Sequence, residues 1–258
     1  MDDFTFNGRH ISEFGATAAF GDSMRYGGKA SRGGYALPGG GSVMLGDTVW
    51  NPVTRSVVIA PMDGVDADEN WRREIIGWLQ EPDQAEMIVD NDPDAILIAG
   101  FNQDGIYGTR SWPGGALEMA MNIQPLAYAA METQGTAHAQ DGKETPVPLE
   151  MPAGLPVPLS IRIACTAGVI TAARIRVGVH EMVLPNLRLS AGSVLGYDGG
   201  TYLHDPIDLT VDGLTDFSPA DGGRWASLEY RPGADVIRVT VTGGEADVSV
   251  SARRRTIA

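Results

Sequence analysis

The chain has 258 residues, 43% hydrophobic and 20% charged, which suits one large or two ordinary globular domains. Its 33 acids against 19 bases leave a net charge of −14; such a surface repels nucleic acid, because gripping phosphates depends on Lys and Arg. No run approaches the roughly 18 apolar residues of a membrane span, the opening MDDFTFNGRH has no basic-then-apolar leader, and a single cysteine, Cys165, leaves no internal disulfide and no multi-cysteine zinc site. Synthesis and folding in a cytoplasm are therefore expected. Gly and Pro together make up about a fifth of the chain, above average but short of the disordered range, so many turns between many strands are predicted.

In chain order, Phe4-Thr5-Phe6 alternates and then turns at Asn7-Gly8, a pair that tolerates positive φ. Residues 21–41 are glycine-rich with little apolar pattern and read as a long loop or arm, of the kind a partner orders. Gly27-Gly28-Lys29-Ala30-Ser31 within it fails as a phosphate loop, since Ala30 stands where Ser or Thr must follow the Lys. Strand-like runs follow at Ser42–Leu45 and Arg55–Ala60. Trp71, Ile75, Trp78 and Leu79 then fall at i, i+4, i+7 and i+8, one face of a helix. Asp66 with Glu69 offers a capping box, Asp68 is the alternative cap, and Pro82 stops the helix. Arg72, Arg73 and Glu74 should form its wet outer face.

Met87-Ile88-Val89 and Ile96-Leu97-Ile98-Ala99 bracket Asp90-Asn91-Asp92-Pro93-Asp94. A calcium loop counted from Asp90 would need Gly at its sixth place and Glu at its twelfth, where Ala95 and Phe101 stand. The stretch reads instead as a hairpin tip with its carboxylates in water. Leu117, Met119, Met121 and Ile123 alternate with Glu118, Ala120 and Asn122, a half-buried strand.

Five prolines and no periodicity between 133 and 158 predict a linker, with His138 solvated inside it. Beyond it nearly every segment alternates: Ile161 and Ile163; Ile175, Val177 and Val179; Ile207, Leu209 and Val211; Ile237, Val239 and Val241; Val248 and Val250. Short alternating strands predict a two-sheet antiparallel sandwich, with Cys165 as a buried structural thiol and Arg253-Arg254-Arg255 as a solvated strand end. The four histidines are scattered singly, and the adjacent His204 and Asp205 would face opposite sides of a strand. No catalytic, cofactor or metal motif is present, so no enzyme is expected.

The order of these features resembles the distal tail protein of long-tailed, non-contractile bacteriophages. The resemblance is carried by the opening FTFNGRHISEFGA, the arm ending Leu37-Pro38-Gly39-Gly40-Gly41-Ser42 and the helix Trp71–Leu79. It continues through MIVDNDPDAILIAGF, the strand to Ile123 closed by Gln124-Pro125-Leu126-Ala127-Tyr128, and an all-β remainder with Arg231-Pro232-Gly233-Ala234-Asp235-Val236-Ile237. It implies a mainly β fold with one helix: a ring-forming belt domain of β-sandwich or split-barrel type (1–133), a Pro-rich linker (134–158) and a galectin-like antiparallel sandwich (159–258). It also implies a homo-hexameric ring in the virion, joining the tail tube protein to the tail-tip or baseplate hub protein and passing DNA through its lumen without specific binding. No cofactor and no membrane come with it. The candidate subunit-interface residues are Pro38 and Gly39 in the arm and Asp90, Asp92 and Asp94 on the hairpin. The family's arm more often follows Pro-Gly with basic and acidic residues than with Gly40-Gly41.

Two readings of other classes stand beside this one. A carbohydrate-binding sandwich, acting in host-receptor adhesion at a phage tail tip, would use Tyr197, Tyr202, Trp225 or Tyr230 as an aromatic platform. An envelope hydrolase would have only Asp90, Asp92 and Asp94 to draw on.

Overall fold

The computed structural model describes residues 3–20, 29–37, 41–101, 115–199 and 208–257, with 29–37 and 41–50 described by their backbone. It divides into two compact units, Met1–Ala130 with Thr256–Ala258, and Met131–Arg255.

The first unit contains β1 (Phe4–Phe6), β2 (Arg9–His10), β3 (Ala16–Phe20), β4 (Lys29–Leu37), β5 (Gly41–Asn51), β6 (Val53–Pro61), helix α1 (Glu69–Gln80), β7 (Ala85–Val89), β8 (Asp92–Phe101), β9 (Leu117–Ile123) and the start of β10 (Leu126–Ala139). Antiparallel pairing runs β2-β1-β7-β8-β9-β6-β3. Asn7 and Gly8 both take positive φ, as the predicted β1–β2 turn requires. β9 and β10 lie in succession along one edge of β8. The two ends of the sheet meet through a side chain rather than a ladder: Thr17 Oγ1 and the Ala18 N–H both donate to Asp3 Oδ1, at 2.6 and 2.8 Å.

The arm differs from expectation. Lys29–Leu37 is a strand, paired antiparallel with β5 from Lys29↔Asn51 to Leu37↔Gly41. Its glycines remove the side-chain alternation by which a strand is recognised, without removing the backbone groups that pair.

Helix α1 forms where the periodicity places it, but its cap is Asp68, whose Oδ1 accepts from the Trp71 N–H at 2.8 Å, rather than the Asp66/Glu69 box. Trp71, Ile75, Trp78 and Leu79 are buried, while Arg73 and Glu74 are exposed. Full burial of one such side chain contributes about 1.5–3 kcal/mol. Each indole also finds a carbonyl, Trp71 Nε1 donating to Phe14 O at 2.9 Å and Trp78 Nε1 to Phe6 O at 3.2 Å. Trp78 lies within 4.5–6.0 Å, centroid to centroid, of Phe14, Phe4 and Phe6, so the helix is fastened over an aromatic core.

The second unit contains the rest of β10, β11 (Thr145–Val147), β12 (Val157–Pro158), β13 (Ser160–Val177), β14 (His180–Leu184), β15 (Leu189–Ser190), β16 (Val194–Asp198), β17 (Asp208–Val211), β18 (Leu214–Thr215), β19 (Glu229–Tyr230) and β20 (Ile237–Ile257). Its frame is the long pair β13–β20, in register from Ser160↔Ser251 to Val177↔Ile237 with interruptions at Cys165/Ala167 and Gly168/Ala172. Gly168 and Gly243 take positive φ at the break. Before it β13 also pairs with β16; after it, with β14. Ile161 and Ile163 from the first half join Ile175 and Val177 from the second in one core, so the bent pair supplies two facing layers. Cys165 is buried there, as expected.

Residues 134–158 do not form a linker. Thr145–Val147 pairs with β20, Val157–Pro158 with β19, and Ala139, Val147, Leu149 and Val157 are core residues. The alternation is real, with Pro146 and Pro148 in the outward places between buried Val147 and Leu149. β11 pairs with β20 alone among the described strands, and an edge is where a strand tolerates proline.

Candidate functional site

The predicted hairpin is β7–β8, but its tip is shorter than expected. Val89 pairs with Asp92, leaving Asp90-Asn91 as the turn and Asp92 and Asp94 on strand β8. Asp90 and Asp94 are exposed and Asp92 is half-buried. The Asp90 carboxylate faces His10 Nε2, 3.3 Å from each oxygen. His10 also caps the 3-10 turn Ile11–Phe14: its Nδ1 accepts the Ser12 N–H at 3.2 Å and lies 2.6 Å from Ser12 Oγ. An Nδ1 that accepts from a backbone amide leaves the proton on Nε2 of the neutral ring, directed at Asp90. Ser12, His10 and Asp90 are thus a hydrogen-bonded chain on an exposed cap, tying β2 to the tip of the acidic hairpin. Glu13 accepts the His10 N–H at 3.0 Å, which, with Arg9 beside it, holds its carboxyl below the usual range. Pro38 and Gly39, the other candidate interface residues, lie outside the described residues, as do Tyr202 to Asp205.

In the second unit the structure brings together residues that sequence reasoning left apart. His138, expected as a solvated linker residue, stands on β10 beside β20, with Nδ1 2.9 Å from Asp247 Oδ1 and Nε2 3.5 Å from Glu245 Oε2. The hydrogen bond to Asp247 leads the causes that raise its pKa above 6.5. The signal was present: Ala137 and Ala139 flank His138 with period two, as Ala246 and Val248 flank Asp247. His138 and Asp247, with Thr136, Ala137, Arg162, Val248 and Ser249, line a groove of about 440 Å³. Elsewhere, Glu144 receives Arg176 at 2.8 Å and Arg238 at 2.9 Å. The Arg238 hydrogen bond is the first cause lowering its pKa.

Among the described residues the aromatic candidates do not assemble into an open platform. Tyr197 and Tyr230 are buried and structural: Tyr197 Oη accepts the Leu228 N–H at 2.8 Å, and Tyr230 Oη donates to Leu149 O at 3.0 Å. Trp225 is 38% exposed, edge-on to Phe217 at 5.5 Å and to Tyr197 at 5.9 Å. Among the described residues no group of three or more His, Cys, Asp or Glu is arranged to hold a metal ion, and no described helix is long and apolar enough to cross a membrane.

The described residues form a mainly antiparallel β fold with one α-helix, in two units. It is the fold of solved phage hub and baseplate proteins. The chain is similar over 100% of both chains to the SPP1 Dit (gp 19.1) protein, described as a paradigm of the hub adsorption apparatus in phages infecting Gram-positive hosts, with a TM-score of 0.69 at 13% identity. It also matches chains of the phage P2 baseplate in its activated conformation over 98% of both chains. The TM-score is 0.54 at 8% identity for the calcium structure and 0.56 at 9% for the strontium structure. No protein-family model and no curated protein matches the sequence.

Proposed function

We propose that the chain is a structural subunit of a phage tail hub, a distal tail protein that closes into a homo-hexameric ring. The ring joins the tail tube to the tail-tip or baseplate proteins in the virion, and DNA passes through its lumen. One observation carries this reading: the likeness to the SPP1 hub protein spans both units end to end, so the agreement is in the order of two different units and not in one common β fold. The charge supports it, because six copies, each at −14, offer a passing phosphate backbone few counterions to release. In this reading the protein is not an enzyme, the hairpin at Asp90, Asp92 and Asp94 is a contact between subunits, and Pro38 and Gly39 belong to an arm ordered by a neighbour.

Light scattering on the purified protein at several concentrations tests the ring. A species near six times 27.3 kDa, seen as a ring by electron microscopy, is expected alone or on mixing with the tail-tip protein. A monomer under both conditions would remove the proposal.

A further inference from the structure

The outer face of the second unit carries polar groups that its fold does not use. Arg162 on β13 lies directly opposite Ser249 on β20 and, on its other side, opposite Gly196 on β16. Gly196 has no side chain and Ala164, two residues along the same face, has a methyl, so the guanidinium stands on a low floor. The Arg162 guanidinium and the Ser249 and Thr136 hydroxyls have no hydrogen-bond or ion-pair partner among the described residues. All three line the groove of about 440 Å³ whose far wall is the His138–Asp247 pair. That volume falls within the range of about 300–1,000 Å³ usual for small-ligand clefts.

The charges select the ligand. Arg162 and Asp247 border the same groove without forming an ion pair with each other, whereas six other arginines, Arg9, Arg73, Arg174, Arg176, Arg224 and Arg238, each pair with a glutamate. An anion drawn to Arg162 meets the carboxylate of Asp247, and a cation drawn to Asp247 meets the guanidinium. A hydroxyl suits both, donating to the carboxylate and accepting from the guanidinium, while Ser249 and Thr136 do either. Adjacent hydroxyls on one ring would satisfy the whole set at once. We propose that this groove is a binding site for a neutral, hydroxyl-rich ligand, a saccharide unit, recognised by Arg162, Asp247, Ser249 and Thr136 with His138 positioning Asp247. The site does not depend on the ring, and it differs from the aromatic platform considered from the sequence.

Saturation-transfer NMR on the full chain, with methyl glycosides of glucose, galactose, N-acetylglucosamine and rhamnose as probes and inorganic phosphate as competitor, tests it. At least one glycoside is expected to bind with a dissociation constant on the order of 1 mM, undisturbed by phosphate. Arg162→Ala and Asp247→Asn should each weaken it at least about tenfold, the loss of a hydrogen bond to a charged group, with an unchanged melting temperature for Arg162→Ala; Arg188→Ala, outside the groove, should not. Should Asp247→Asn fail to fold, Arg162→Ala and Ser249→Ala carry the test. Binding by none of the glycosides, binding indifferent to Arg162→Ala, or displacement by phosphate would each overturn the proposal.

Discussion

The two units solve the closure of a β core differently. The first packs aromatic rings, Phe4, Phe6, Phe14, Trp71, Trp78 and Phe101, beneath a helix, and its sheet ends are bridged by one carboxylate. The second is almost wholly aliphatic, with Tyr197 and Tyr230 as the buried aromatics among its described residues, and is held by two strands that pair twice across a bend. A unit closed by a few large side chains concentrates its stability in them. A unit closed by a long ladder spreads it over many small contributions.

That contrast can be broken most severely at Trp78. Trp78→Ala should cost the first unit about 3–5 kcal/mol, seen as loss of its near-ultraviolet tryptophan signal at lower denaturant, while the amides of β13 and β20 keep their hydrogen-exchange protection. Loss of protection in both units would show that they do not respond separately. In the aliphatic core, Ile163→Val should cost only about 0.5–1.5 kcal/mol, measured by the shift in the urea midpoint. Asp3→Ala falls between these two, leaving the Thr17 hydroxyl and the Ala18 amide without their acceptor. About 1–3 kcal/mol is expected, with faster exchange of the Ala18 amide as the specific sign.

The smallest effect concerns His138. Its pKa is raised in the folded chain, so its bridge to Asp247 contributes below the ordinary value of 6.5 and is lost as pH rises through the folded value. Wild type should lose slightly more stability than His138→Gln between acidic and mildly alkaline pH, and an NMR titration of the His138 ring should give the elevated midpoint directly. A midpoint at or below 6.5 would contradict the bridge.

Much of this was legible in the residues. Helix α1 could be read from four apolar positions because its period is unlike that of its neighbours. β9 and the separate halves of β13 and β20 could be read because polar and apolar residues alternate along them, but the breaks at Gly168 and Gly243 hid that each pair of halves is one long strand. Legibility failed where the alternating partner was not polar: prolines occupy the outward places of 145–149, and the adjacent Gly33 and Gly34 interrupt any alternation along β4. The His138–Asp247 pairing was hidden for another reason, since 109 residues separate the partners and only the fold brings β10 to β20. The same holds for Arg162 and Ser249, ordinary alternating residues until their strands are laid side by side.

The bent pair at the centre of the second unit also sets how this chain must be made. β13 and β20 are roughly sixty to ninety residues apart in sequence, and closing so long a loop comes before any of its contacts are gained. On the ribosome, β13 emerges with the apolar row Ile161, Ile163, Ile175 and Val177 uncovered, and it waits for β20 to be synthesised. Refolding of this unit should accordingly be slow beside that of a helical protein of its size. In the cell, the waiting interval is when a chaperone has the most surface to hold.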